Sequence, residues 1–188
     1  PTYFIRTFGW DAQTIGLWYG LASIIFGVIG INTGSSVSVW LRNRGYNDAN
    51  VRICLGAEAC LIPIGIVASL MPTPELSMIF YCGFIFFASF SVGCQAAALQ
   101  EITPNQLRAQ VSAIYLFCTN MVGIGFGPTF IAFFTDVVFK NDALVGYSMS
   151  IAVAVACPIG VFLFWRGLKP YRKCLDLAKQ NYASPSSH

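Results

Sequence analysis

Apolar residues in this chain do not alternate with polar ones; they run in long blocks separated by short polar stretches. Five blocks stand out: Ala12 to Leu41, Ile53 to Pro74, Leu76 to Gln100, Ala109 to Thr135 and Ala143 to Trp165. Each is long enough to cross about 30 Å of hydrocarbon as a helix rising about 1.5 Å per residue. Glu58 is the one ionisable residue well inside any block. Backbone amides find no water in lipid, so spanning segments must satisfy them internally as helices. The pattern predicts an all-α, polytopic membrane bundle of about five transmembrane helices over residues 1–168, followed by a tail over 169–188.

Composition strengthens this reading. The chain is 56% hydrophobic and 10% charged, whereas soluble domains carry roughly 25% charged residues. Charge then orients the spans. One side collects Arg42, Arg44, Arg52, Arg108, Arg166, Lys169, Arg172, Lys173 and Lys179, and the other only Arg6 and Lys140. By the positive-inside rule the first group is cytoplasmic, the C-terminus with it, and the loops Pro72 to Glu75 and Asp136 to Asp142 face out. The expected location is a plasma or inner membrane. A net charge of +3 is thereby topology, and no basic run sits beside an aromatic stacking platform, which argues against a nucleic-acid partner.

Pro1 is not a start methionine, and Pro1 to Asp11 reads as the outer end of something that began earlier. No basic leader, short apolar run and small-residue cleavage site follow one another, so no signal peptide is expected and an upstream helix is. The seven cysteines, Cys54, Cys60, Cys82, Cys94, Cys118, Cys157 and Cys174, show no CxxC spacing and have no clustered histidines. They read as small apolar packing residues. The single histidine, His188, ends a Ser/Pro-rich stretch. No paired carboxylates or nucleophile with a base lie in the spans, so no catalytic residue, metal or cofactor is expected and the chain does not read as an enzyme.

Small residues predict where helices meet, because lipid supplies no hydrophobic drive between them. Gly16, Gly20, Ser23, Gly27, Gly30 and Gly34 fall on one narrow face of the first span, which should press against another helix. Asn32, on the opposite face, is either buried in a hydrogen bond or lines a cavity. In the fourth span Ser112, Tyr115, Thr119, Asn120, Gly123 and Gly127 share a broad face, and Gly123 to Pro128 reads GxxxGP. That pattern predicts a closely packed helix kinked at Pro128. The third span joins Phe80, Phe84, Phe86, Phe87 and Phe90 to polar Ser91 and Gln95. Glu58 either pairs with a basic side chain such as Arg52, about 9 Å along the helix, or titrates as a proton site. Lys169 to Gln180 mixes leucines and a tyrosine with Arg172, Lys173 and Lys179, which suits a short interfacial helix on anionic lipid, and Ala183 to His188 is too polar and short to bury anything.

Two loops carry a resemblance. Arg42 to Arg52 reads RNRGYNDANVR after Trp40 and Leu41, and Gln100 to Gln110 reads QEITPNQLRAQ. Both resemble cytoplasmic loops of the major facilitator superfamily, and Ser112 to Phe139 is similar to the eleventh helix of its spinster-like and related bacterial members. The resemblance implies that the five spans are helices eight to twelve of a twelve-helix transporter. It also implies a partner N-terminal half, membrane lipid around both, and alternating access about a central cavity. Ser35 and Val39 stand where the family places Gly and Asp. Arg42, Arg44, Gly45, Glu101 and Arg108 then belong to cytoplasmic gate loops. Because the family's tenth helix lines the cavity, Phe84, Phe87, Ser91 and Gln95 are the expected substrate contacts, with Tyr115, Thr119 and Asn120 added from the fourth span. The implied function is secondary transport of a small organic or lipid-like solute. Open alternatives are proton-coupled transport of a sugar acid or other organic anion, and a membrane scaffold without transport.

Overall fold

The structure, a computed structural model, describes Ile5, Gly9 and residues 11–71, 73–134 and 145–183. Among these the chain is entirely helical: α1 Ala12–Asn43, α2 Ala49–Leu70, α3 Pro74–Ile102, α4 Arg108–Asn120, a π-helical turn Met121–Phe126, α5 Gly127–Phe133 and α6 Val145–Ala183. With α4, the π turn and α5 forming one rod, five helices are long and apolar enough to span a bilayer, at mean hydropathy 1.5 to 2.1. That is a polytopic membrane bundle. Most of Pro1 to Asp11, the loop Asp136 to Asp142, Pro72, and the end of the tail from 184 onward lie outside the described residues.

Local chemistry sets the helix ends. Asp11 opens α1 by accepting the Gln13 amide at 3.1 Å, and Pro74, which has no N–H to leave unsatisfied, opens α3. Gly45 closes α1. Its φ of +92° lets its own amide reach Arg42 O at 2.9 Å and the Tyr46 amide reach Leu41 O at 3.2 Å, the paired bonds of a Schellman stop. The turn from α1 into α2 therefore follows directly from the RNRG sequence.

Helix α3 lies between α1 and α2, with α6 on the far side of α2, while α4 leans on α3 and α5 on α6. The α1–α3 contact uses half of the predicted glycine stripe. A Cβ at Gly30 would lie 2.5 Å from Phe86 O, one at Gly34 would run into Phe90 O, and Gly27 faces Ser89. Gly16 and Gly20 meet nothing within 4 Å. The stripe is thus a contact only toward the basic end, where the core of Ile53, Cys54 and Cys94 also lies, packed by Val37, Phe90 and Phe164.

The fourth span departs from expectation. None of its described side chains is buried, and Gly123, Gly125 and Gly127 have nothing within 4 Å. In place of close packing, the helix widens. The Gly127 amide bonds Val122 O, five residues back, immediately before Pro128, whose ring would clash with the carbonyl four residues back in a regular helix. The last span also runs longer than its apolar block, continuing as one helix past Trp165 and through Pro170 to Ala183.

Candidate functional site

The side chains singled out on α3 and α4 divide into those brought together and those kept apart. Tyr115 donates its hydroxyl to Gln95 Oε1 at 2.8 Å, and Gln95 donates Nε2 to Ser91 Oγ at 2.7 Å. The i,i+4 spacing of Ser91 and Gln95 stacks them on one face of α3, and Tyr115 reaches them from the first two turns of α4. Ser91 is fully buried, and its carbonyl accepts the Cys54 thiol of α2 at 3.7 Å. This polar chain borders a cavity of about 200 Å³ at which α2, α3, α4 and α6 converge, walled by Cys54, Leu99 and Phe164 and by the ring of Tyr171.

The remaining positions stand elsewhere. Phe84 turns toward α2, its ring edge 3.1 Å from where a Gly65 Cβ would be, and stacks on Tyr81 at 6.2 Å. Tyr81 in turn donates to the Tyr19 hydroxyl of α1 at 3.0 Å. Phe87 joins Phe86 and Phe90 in a ring cluster with centroids 5.2 and 6.3 Å away. Thr119 is exposed, and Asn120, also exposed, bonds Leu116 O of its own helix at 2.7 Å. Asn32 is exposed as well, donating to Val28 O at 2.7 Å, so it is neither buried nor part of this cavity.

Glu58 does not reach Arg52. It is half-buried against α6, its carboxylate 3.7 Å from where a Cβ at Gly160 would lie, and among the described residues it has no ion pair. Arg52 is engaged elsewhere because Asp48, one turn earlier on the same helix face, lies closer. It bonds Asp48 Oδ1 at 2.9 Å and stacks on Tyr46 at 4.6 Å.

Asp48 organises the basic end. Its side chain is 5% exposed and also takes Arg172 of α6 at 2.6 Å. Burial pushes its carboxyl upward, but the hydrogen bonds from Arg172 and Arg52 outweigh this and leave it below the ordinary carboxylate value. A second group forms alongside: Arg42 pairs with Glu101, and Tyr171 donates to the other Glu101 oxygen at 2.7 Å. Leu175 is buried between the two groups. The stretch Tyr171–Leu175 therefore lies across both loops as a strap, where its composition alone suggests a separate helix on lipid. Arg44 stacks on Trp40 at 3.9 Å, and Arg108 donates Nε to Thr103 O at 3.2 Å.

Sequence reading did not find Asp48, Cys54, Tyr171 or Arg172. Asp48 precedes α2 at its N-cap, a position that a local signal could have marked. The others answer residues 37 to 124 positions away, which no local pattern reveals.

No family model matches the chain. It is similar to a protein of Mycolicibacterium smegmatis described as an MFS-type efflux pump, at 23% identity over 175 residues, covering 92% of this chain and 40% of that protein. The chain thus spans less than half the length of that relative. With its five apolar helices and this likeness to a membrane transporter, it is an integral, multi-pass membrane protein.

Proposed function

We propose that this chain is the C-terminal part of a major facilitator transporter of the spinster-like or a related bacterial branch, and that it moves a small organic or lipid-like solute by alternating access. In this reading α1, α2, α3, the α4–α5 rod and α6 correspond to helices eight to twelve. The carrying observation is the chain of Ser91, Gln95 and Tyr115 set at a cavity among otherwise apolar helices. An amide placed inside a membrane span is costly unless it is bonded, and such residues mark solute paths. The efflux activity in the description of the Mycolicibacterium relative supports transport. Exposed Asn32 on α1 and Thr119 and Asn120 on α4 suit contact with further protein rather than lipid, as the remaining helices of a longer transporter supply. The basic end is taken as cytoplasmic, and the Arg42–Glu101 pair supplies the carboxylate that Ser35 to Val39 lacks.

The test is flux through phospholipid vesicles containing the complete protein, with and without a proton gradient, using a lysolipid and a sugar acid as solutes. Transport of either, falling at least tenfold in Gln95→Ala, supports the reading. If neither solute moves while the protein co-purifies with a stable membrane partner, the scaffold alternative replaces it.

A further inference from the structure

We infer that the Gln95–Tyr115 cavity selects an uncharged, mainly apolar molecule carrying one hydrogen-bonding group, and that Tyr171 is part of its wall. The substrate class rests on the transport reading above; the binding preference stands on geometry of its own. Among the described residues no side chain bordering the cavity carries a formal charge. The wall residue Tyr171 touches an ionic group, Glu101, which is already engaged by Arg42 and by the Tyr171 hydroxyl. A carboxylate or ammonium entering here gives up its hydration and gains no counter-ion.

The polar groups present fit one neutral partner. A glutamine amide has two N–H donors and two acceptor sites on its oxygen. Tyr115 uses one acceptor site and Ser91 receives one donor, so one N–H and one lone pair of Gln95 remain for a hydroxyl or amide. The rest of the wall is Val51, Cys54, Ala98, Leu99, Ile102, Phe164 and the two tyrosine rings, which reward an apolar body. A volume of about 200 Å³ holds a single ring or a short alkyl group.

The experiment compares three probes with the same apolar body: cyclohexylmethanol, cyclohexanecarboxylate and cyclohexylmethylammonium. Binding to the intact protein in dodecyl maltoside is followed by ligand-observed NMR. The alcohol is expected to bind at least tenfold more tightly than either ion, to weaken several-fold in Gln95→Leu, and to lose its site in Ala98→Phe, which fills the cavity. Equal or tighter binding of either ion by the wild-type protein overturns the inference, and that comparison needs no variant to fold. Failure of all three probes to bind overturns it too. Selective alcohol binding without flux in vesicles would uphold the cavity preference and sink the transport reading, so the two fail separately.

Discussion

Alanine at Gly34 or Gly30 should pry α1 from α3, whereas alanine at Gly16 or Gly20 on the same stripe should not. At Gly30 the new methyl would lie 2.5 Å from a carbonyl oxygen of α3, and ordinary contact begins near 3.4 Å. The helices must therefore separate by about 0.9 Å, because the obstacle is backbone and no rotamer change relieves it. Overpacking of this kind costs about 1–3 kcal/mol. Against it stands the gain of about 0.5–1 kcal/mol from replacing glycine inside a helix. The net loss is up to about 2.5 kcal/mol at Gly30 and Gly34, and the sign reverses at Gly16 and Gly20, where a Cβ meets nothing. Gly65 falls between, since its obstacles are the Val153 and Phe84 side chains, which can turn. The assay is helix loss in detergent under a denaturant ramp, comparing midpoints across the five variants. Equal midpoints for Gly34→Ala and Gly16→Ala would refute the assignment of the stripe.

Three further perturbations test the basic end and Glu58. Asp48→Asn should release the strap at a cost of about 1–2 kcal/mol, discounted because the Arg172 and Arg52 side chains are 45% and 39% exposed; protease cutting after Arg172 or Lys173 should accelerate, and an unchanged rate would show the strap is not held there. Because the Asp48 carboxyl is depressed, its stabilisation is complete above the ordinary value of about 3.9 and lost only as pH falls through its lower folded value. The difference in denaturation midpoint between the wild-type protein and Asp48→Asn should therefore be constant from pH 8 to about 5 and shrink below about 4, whereas shrinkage already at pH 6 would contradict the assigned linkage. Glu58→Gln removes a charge but no ion pair, so its denaturation midpoint should shift by under about 0.5 kcal/mol; a loss above about 2 kcal/mol would reveal a cationic partner.

The spans were legible because crossing lipid is decided by local apolar length, whatever the helices later touch. The loop holding Gly45 was found through the family resemblance, but the left-handed stop that Gly45 makes there was not read, although it is a purely local signal. Tertiary effects escaped notice. Lys169 to Gln180 read as a separate short helix on lipid, yet α6 continues into it, where Asp48 and Glu101 receive its side chains. The glycine stripe indicated a contact without saying that half of it stays open. At the site, Ser91 and Gln95 were visible as the polar residues of an otherwise aromatic span and through the family resemblance, while the walls from α2 and α6 depend on which helices become neighbours. Pro128 pointed to an irregularity, but only the structure turns the expected kink into a π turn.

Six polar residues of α1 and the α4–α5 rod share one habit. Asn32, Thr33, Ser35 and Ser36 each donate to the carbonyl four residues back in α1, and Asn120 and Thr129 do the same in the fourth span. Each of these four hydroxyls, and one N–H of each of the two amides, is satisfied within a single helix, before any neighbour exists. During biogenesis these groups therefore lower the cost of leaving the translocon for lipid, and assembly becomes a later step of exchanging such internal bonds for contacts between helices.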